Sequence, residues 1–408
     1  MKKLFIPILS SILSIVFICE VTALKFSVSD EMDYSQNSVT TDLTVDATAQ
    51  ISGPIEIAAK SAILMEKSTG KILYAVNENE KIYPASVTKI MSILLVCEAI
   101  DSGQIKLSDS VTCSANASSK GGSQIWLEEG ETMTVEELLK ATCIYSANDA
   151  CTLLGEYVSG SEQAFVDAMN KKAQQLGMSN THFDNCTGLD DTTDTHLTSA
   201  LDVAIMSREL LRHDFIKKYT TIWIDSLRNG ETQLVNTNKL IRFYKGITGL
   251  KTGTTEKAGC CVSATAMRDG MELIAVVLGS ENSADRFDTA ENLLDYGFAN
   301  YEIIIPDFNK DQVAPVKVAH GKTDNVSLKM PEIGAVLVNK GQGSNIKVKV
   351  ELPESVEAPV ENNVIIGKIS VSDGENIIAQ YDIMTAESVA RLDFLSALYK
   401  LLTSFSQK

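Results

Sequence analysis

Ser86 and Lys89 stand three residues apart in "YPASVTKIMSILLVCEAI", at the head of an apolar run. On a helix that spacing puts both side chains on one face, within reach of each other. A serine hydroxyl is a weak nucleophile until a base takes its proton. A lysine held in a dry pocket is neutral enough to be that base. The tetrapeptide reads equally as a capping serine followed by a surface lysine. The same spelling recurs at Ser68–Lys71 and Ser344–Lys347, in a turn pattern and a strand pattern, so only Ser86 opens an apolar helix.

Two further short motifs extend the set. Ser146-Ala147-Asn148 falls within a predicted helical region, and Lys251-Thr252-Gly253 precedes a predicted strand. The SxN spelling is common, occurring also at Ser35, Ser114 and Ser280, whereas KTG occurs once. In the order SxxK, SxN, KTG the three form the signature of penicillin-binding proteins and serine β-lactamases.

On these motifs the chain resembles a serine-type D-Ala-D-Ala carboxypeptidase, a low-molecular-mass penicillin-binding protein of peptidase family S11. The similarity runs from about Ala62 to Tyr301 through "TGKILY", "YPASVTKIMS", "GSQIWLEEGETMTVEELLKATCIYSANDAC", "NTNKL" and "GLKTGTT". The resemblance implies that Ser86 attacks the carbonyl between two terminal D-alanines and that Lys89 takes its proton. It gives Ser146 the relay of a proton to the leaving amine, and Asn148 the substrate's backbone amide. Lys251 and Thr252, with Gly253 beside them, would face the terminal carboxylate. The backbone N–H groups of Ser86 and Thr254 would form the oxyanion hole. Arg286 falls where similar enzymes place a carboxylate-binding arginine; it reads equally as a solvated helix arginine. Many members carry an aromatic or imidazole residue where this chain has Thr254, a departure that bears on substrate preference. The implied partners are the peptidoglycan pentapeptide stem and β-lactam antibiotics as covalent inhibitors, with no cofactor and no metal.

Other activities share parts of this signature. The commonest serine β-lactamases add a glutamate in an ExxLN motif between SxN and KTG. Glu156, Glu162, Glu209 and Glu231 lie in that interval and none begins it. A DD-endopeptidase or a non-catalytic β-lactam sensor would keep the same three motifs. A Ser-His-Asp hydrolase needs a positioned histidine, and His182, His196, His213 and His320 are accompanied by no GxSxG elbow.

The elements that must position these residues follow from the patterns around them. "SAILMEKSTGKILYAVN" reads as two strands about a turn at Ser68-Thr69-Gly70, and Pro84 to about Leu211 is mainly helical. Thr134 with Glu137 makes a capping box. "GCCVSATAMRDGMELIAVVLGS" reads as a hairpin turning at Arg268-Asp269-Gly270, followed by a helix ending near Tyr301. Strands, then helices, then strands imply an α+β fold: an antiparallel sheet completed by both ends, with helices packed on it. With the resemblance, this is a penicillin-binding-protein or serine β-lactamase-like transpeptidase domain over residues 54–301.

The flanking segments differ in style. Residues 1–23 join a basic start at Lys2 and Lys3 to an apolar stretch and small residues before Ala23, a secretory signal. Residues 24–53 read as a flexible leader. Residues 302–385 alternate apolar and polar residues between turns, a small all-β domain. In 386–408, Val389, Leu392, Leu395, Tyr399, Leu402 and Phe405 form an apolar face with Arg391, Asp393 and Lys400 among them. Such a helix docks on its own protein or lies in a membrane interface. An exported enzyme held peripherally on the outer face of the cytoplasmic membrane is the expectation.

Of the eight cysteines Cys19 leaves with the signal, and the odd remainder does not read as a disulfide framework. A net charge of −17 and a pI near 4.8 argue against nucleic acid as a partner.

Overall fold

The computed structural model describes residues 55–190 and 193–398. The signal and leader readings lie outside the described residues, as do Tyr399, Leu402 and Phe405 of the tail.

Five strands form the central sheet: β1 (Ser61–Glu66), β2 (Ile72–Val76), β3 (Ile247–Thr255), β4 (Gly259–Arg268) and β5 (Met271–Ser280). Their order is β2-β1-β5-β4-β3, with every neighbouring pair antiparallel. The N-terminal hairpin thus pairs with the last strand of the domain, as the chain-end pattern implies. The turn between β4 and β5 falls at Asp269 and Gly270, at φ 49° and 82°, the left-handed pair that a tight hairpin requires. Both faces of the sheet are covered. Ile63, Met65, Ile274 and Val276 face one core, while Ala62, Leu64, Leu273 and Ala275 face the other. That is why β1 and β5 are apolar at both parities instead of alternating.

On one face lie α1 (Lys89–Asp101), α2 (Asn148–Ser159), α3 (Glu162–Gln175) and α4 (Ala200–Leu210). Helix α1 is buried on almost every side, with Ile90, Met91, Leu94 and Cys97 in the core. A helix this apolar all round belongs in the middle of a domain. Truncating Leu94 to Ala there would cost about 3 kcal/mol. Helix α5 (Ser283–Asn300) covers the opposite face through Phe287, Ala290, Leu293 and Leu294.

Helix α5 leads without a spacer into β6 (Tyr301–Ile304), which pairs antiparallel with β7 (Val336–Asn339). Beyond this seam the chain is β structure around two small cores, one built on Val316, Val326, Ala358, Val360 and Val389, the other on Val336, Val338 and Val371.

The tail departs from its sequence pattern. Val389 is buried and exchanges backbone hydrogen bonds with Val360 at 2.8 and 2.9 Å, and Leu392 N–H donates to the His320 carbonyl at 2.7 Å. Residues 386–393 are therefore extended chain of the β domain, not the start of a helix. Helical backbone begins only at Phe394, where the Asp393 carboxylate accepts from Ser396 N–H at 2.8 Å. The helical spacing of Val389 and Leu392 was coincident with a strand position, and β pairing decided it.

Candidate active site

Pro84 and Ala85 turn the chain sharply, Ala85 taking φ 48°, and residues Ala85–Thr88 form a single 3-10 turn that runs into α1. Ser86 therefore sits at the head of the most buried helix, and Lys89 is that helix's first residue. The Lys89 ammonium nitrogen has three neighbours: Ser86 Oγ at 2.9 Å, Asn148 Oδ1 at 2.6 Å and the Thr187 carbonyl at 2.8 Å. Two of these, an amide oxygen and a backbone carbonyl, can only accept. A neutral amine must give its two hydrogens to them, which leaves its lone pair facing the one neighbour able to donate, the Ser86 hydroxyl. Burial favours that neutral form and brings the Lys89 pKa down to about 8.

The region carrying Ser146 is not continuous helix. The capping box at Thr134 and Glu137 starts a helix at Val135 as its sequence predicts. That helix loosens into a π-type turn over Ala141–Tyr145 and breaks at Ser146, in the left-handed conformation at φ 67° and ψ 28°. Helix α2 then begins at Asn148. The break directs two polar side chains from one short segment. Ser146 Oγ is buried and has no hydrogen-bond partner among the described residues, an arrangement that normally costs about 1–3 kcal/mol. Asn148 spans two loops, its Nδ2 donating to the Gly121 carbonyl at 2.7 Å while Oδ1 accepts a hydrogen bond from Lys89 Nζ at 2.6 Å.

The third motif lies on β3, an edge strand of the sheet. An edge strand presents one row of backbone N–H and C=O groups unpaired by its own sheet, ready for an extended peptide. Gly253 brings that edge against the turn of Ser86: a Cβ there would lie 2.8 Å from Ser86 N and 2.9 Å from Val87 N. Lys251 is buried, donates to the Thr252 carbonyl at 2.9 Å, and has a pKa pushed down by burial first and by the Lys89 charge second. Thr252 Oγ1 donates to Thr237 Oγ1 at 2.7 Å, tying the strand to "NTNKL".

Arg286 is not a solvated helix residue. It is buried behind the strand end, donating from Nη1 to the Gly253 carbonyl and Thr254 Oγ1, both at 3.0 Å, and to the Cys261 carbonyl at 3.3 Å. These bonds make it a prop for the segment that carries Thr254.

Sequence reasoning missed the loop that closes the site from below. Asn185 Oδ1 accepts from Thr187 N–H and Gly188 N–H at 3.1 and 2.7 Å, shaping the turn that aims the Thr187 carbonyl at Lys89. The N-x-x-G spacing in "DNCTG" was the available signal. His196 holds the same loop to the turn of Ser86. Its Nδ1 accepts from Asp184 N–H at 3.0 Å, so Nε2 carries the proton and donates to Thr88 Oγ1 at 2.8 Å. Burial brings its pKa down to about 4 and keeps the ring neutral. All seven described cysteines are free and buried.

Comparison with known proteins adds lineage to this geometry. Residues 45–282 match the sequence profile described as D-alanyl-D-alanine carboxypeptidase, and residues 308–391 match that of the penicillin-binding protein 5 C-terminal domain. The chain is 42% identical over 354 residues to the D-alanyl-D-alanine carboxypeptidase DacF of Bacillus subtilis, covering 86% of this chain and 90% of that one. Against DacC of Escherichia coli, also a D-alanyl-D-alanine carboxypeptidase, identity is 32% over 351 residues, covering 84% and 87%. Among solved structures, penicillin-binding protein 5 from Haemophilus influenzae aligns with a TM-score of 0.74 at 30% identity, over 83% of this chain and 99% of that one. Penicillin-binding protein D2 from Listeria monocytogenes, in its ampicillin-bound form, aligns with a TM-score of 0.56 at 29% identity, over 60% and 100%.

Proposed function

The chain belongs to the D-alanyl-D-alanine carboxypeptidase family, peptidase S11, and from that premise we propose that Ser86 and Lys89 carry out the removal of the terminal D-alanine from peptidoglycan pentapeptide stems. One observation supports this most: the buried Lys89 amine has its two acceptor-only neighbours arranged so that its lone pair meets Ser86.

The substrate lies extended along β3 with its terminal carboxylate toward Lys251 and Thr252. Lys89 takes the Ser86 proton as Oγ bonds to the carbonyl carbon between the two D-alanines. The oxyanion is held by the backbone N–H groups of Ser86 and Thr254. The Ser146 hydroxyl relays to the departing nitrogen the proton that Lys89 took from Ser86, so Lys89 returns to its neutral form as the C–N bond breaks and D-alanine leaves. Asn148 orients the substrate amide through its remaining N–H. Arg286 fixes Thr254 and adds positive charge at the carboxylate end. Water then attacks the Ser86 ester with Lys89 accepting its proton, the bond to Oγ breaks, Lys89 returns that proton to Ser86, and the shortened peptide departs. A β-lactam follows the first half of this path, its ring amide opening onto Ser86. Mass spectrometry with a D-Ala-D-Ala pentapeptide should show loss of one alanine only. Penicillin should add one adduct to the enzyme and none to Ser86→Ala; an adduct on that variant would place the nucleophile elsewhere.

Export is supported by the signal pattern in residues 1–23. Attachment to the outer face of the cytoplasmic membrane is supported by Phe394 and Leu395, 80% and 75% exposed at the start of the terminal helix. No helix among the described residues is long and apolar enough to cross a membrane.

A further inference from the structure

Lys89 depends on two acceptors, and each has a cysteine beside it. The Thr187 carbonyl follows directly on Cys186, and Asn148 lies one turn of α2 before Cys151, on the same helix face. Both cysteines are free thiols, Cys186 fully enclosed and Cys151 1% exposed.

The two residues are in direct contact. Cys151 Sγ donates to the Cys186 carbonyl at 3.3 Å, and the two thiols are hydrogen-bonded neighbours. The Cys186 sulfur also has Thr152 Oγ1 at 3.6 Å and Glu162 Oε1 at 3.7 Å. From α1, Ser92 Oγ donates to the same Cys186 carbonyl at 2.6 Å. Cys186 is thus the point where the loop of Thr187 is fastened to both helices that carry Lys89 and Asn148.

The pair is chemically unequal. Burial works to raise the Cys151 thiol, but its hydrogen bond with Cys186 and the Lys89 charge hold it below its ordinary value. Cys186 is held well above its own, first by the bond to Cys151 and then by burial. Elsewhere burial pushes Cys143 up to about 12 and Cys261 up to about 11. Cys151 has the character of a reactive thiol, and Cys186 that of the resolving thiol beside it. Export, proposed above, brings the pair among oxidants that the cytosol removes.

We propose that Cys151 and Cys186 are a redox modification site, where a hydroperoxide forms a disulfide that draws both acceptors away from Lys89 and slows acylation of Ser86. With hydrogen peroxide, the Cys151 sulfur takes one oxygen and becomes a sulfenic acid, and the displaced hydroxide leaves as water with the former thiol proton. The Cys186 sulfur then attacks the Cys151 sulfur. The S–O bond breaks, and hydroxide leaves as a second water with the Cys186 proton. Both sulfurs are oxidised and the peroxide is reduced to two waters. The new bond, about 2 Å long, is far shorter than a contact between separate sulfurs. Forming it shifts Cys186 against the first turn of α2, and Thr187 and Asn148 move with them. The Lys89 lone pair is then no longer fixed on Ser86.

The test takes the full protein, reduced with dithiothreitol and then exposed to hydrogen peroxide. Intact mass should fall by two hydrogens, and peptide mapping should join the segments of Cys151 and Cys186. Penicillin acylation should slow by about tenfold or more and recover with dithiothreitol, which does not repair oxidised methionine. Cys151→Ser and Cys186→Ser, confirmed folded by circular dichroism, should each acylate at the same rate before and after peroxide. A protein that keeps its mass, or gains oxygen without the cross-link, overturns the proposal. So does a cross-linked protein that acylates at the reduced rate, or a Cys186→Ser variant that still loses acylation reversibly. The mass readout does not depend on the reaction assigned to Ser86. If the reduced wild type does not acylate, the carboxypeptidase reading falls, and the absence or presence of the cross-link still decides the cysteine pair.

Discussion

Gly188 and Ala85 are in backbone contact: a Cβ on Gly188 would lie 1.8 Å from the Ala85 carbonyl oxygen and 2.8 Å from Thr88 Oγ1. Gly188 also stands at φ 86°, where a side chain is strained. The contact locks the loop of Thr187 onto the turn of Ser86, two segments about a hundred residues apart in sequence. Gly188→Ala must push them apart, and with them the Thr187 carbonyl from Lys89. The expected outcome is a loss of at least ~2 kcal/mol of stability, seen in urea unfolding. Penicillin acylation should fall by at least tenfold in the fraction that remains folded.

Lys89 should report its role through pH. With a native pKa of about 8 it is half neutral there, so acylation should rise with pH and level off above that value. Lys89→Arg keeps the charge and cannot serve as a base; stopped-flow acylation should drop by about 100-fold or more with the circular dichroism spectrum retained. Near-normal acylation by that variant would reduce Lys89 to a structural part. The sign for stability is separate. Between about 8 and 10.5 the unfolded chain holds this proton and the native protein has released it. This group therefore makes stability rise with pH across that window.

His196 predicts an acid weakness. Its native pKa of about 4 lies below the 6.5 of an unfolded histidine. As pH falls through that interval the unfolded chain takes up a proton that the native ring refuses. Stability present above 6.5 is lost by about 4, on the order of 3 kcal/mol. Melting temperatures of wild type and His196→Asn, compared across this range, should converge toward acid pH, because the variant lacks this contribution. A wild-type profile parallel to that of the variant would refute the assignment.

The tail predicts a position-dependent truncation. Ending the chain after Leu392 removes the exposed Phe394 and Leu395 and keeps Val389 paired with Val360. That protein should leave the membrane fraction and keep its peptidase rate. Ending it at Ala386 also removes Val389 from the core of the β domain and should cost about 2 kcal/mol. If the longer truncation product stays on membranes, attachment lies elsewhere in the chain.

The residues gathered around Lys89 were more legible in the sequence than the segments that frame them. Ser86, Lys89, Asn148 and Lys251 announce themselves because short motifs carry their spacing, and strands β1, β4 and β5 follow from apolar runs between clear turns. Ser146 was placed on a helix because nothing local distinguishes a left-handed serine from a helical one; its conformation is imposed by packing on both sides. Arg286 read equally as a carboxylate-binding and a solvated residue for a related reason. Its partners Gly253 and Cys261 lie more than twenty residues away, and periodicity within one helix cannot register them. The tail failed through ambiguity, since the spacing from Val389 to Leu392 fits a helix and a buried strand position alike.

The approach of Gly253 to Ser86 also bears on how resistance to β-lactams can arise. Any side chain at 253 would meet the backbone nitrogens of Ser86 and Val87, so this position offers no viable variants through which drug affinity could drift. Thr254, one residue on, is exposed on the same edge. Selection under an antibiotic has room there, where a changed side chain can alter how a bulky drug seats without moving the nucleophile. The strand thus sets a frozen residue beside a mutable one, and sequencing of drug-selected populations should find substitutions at 254 and none at 253.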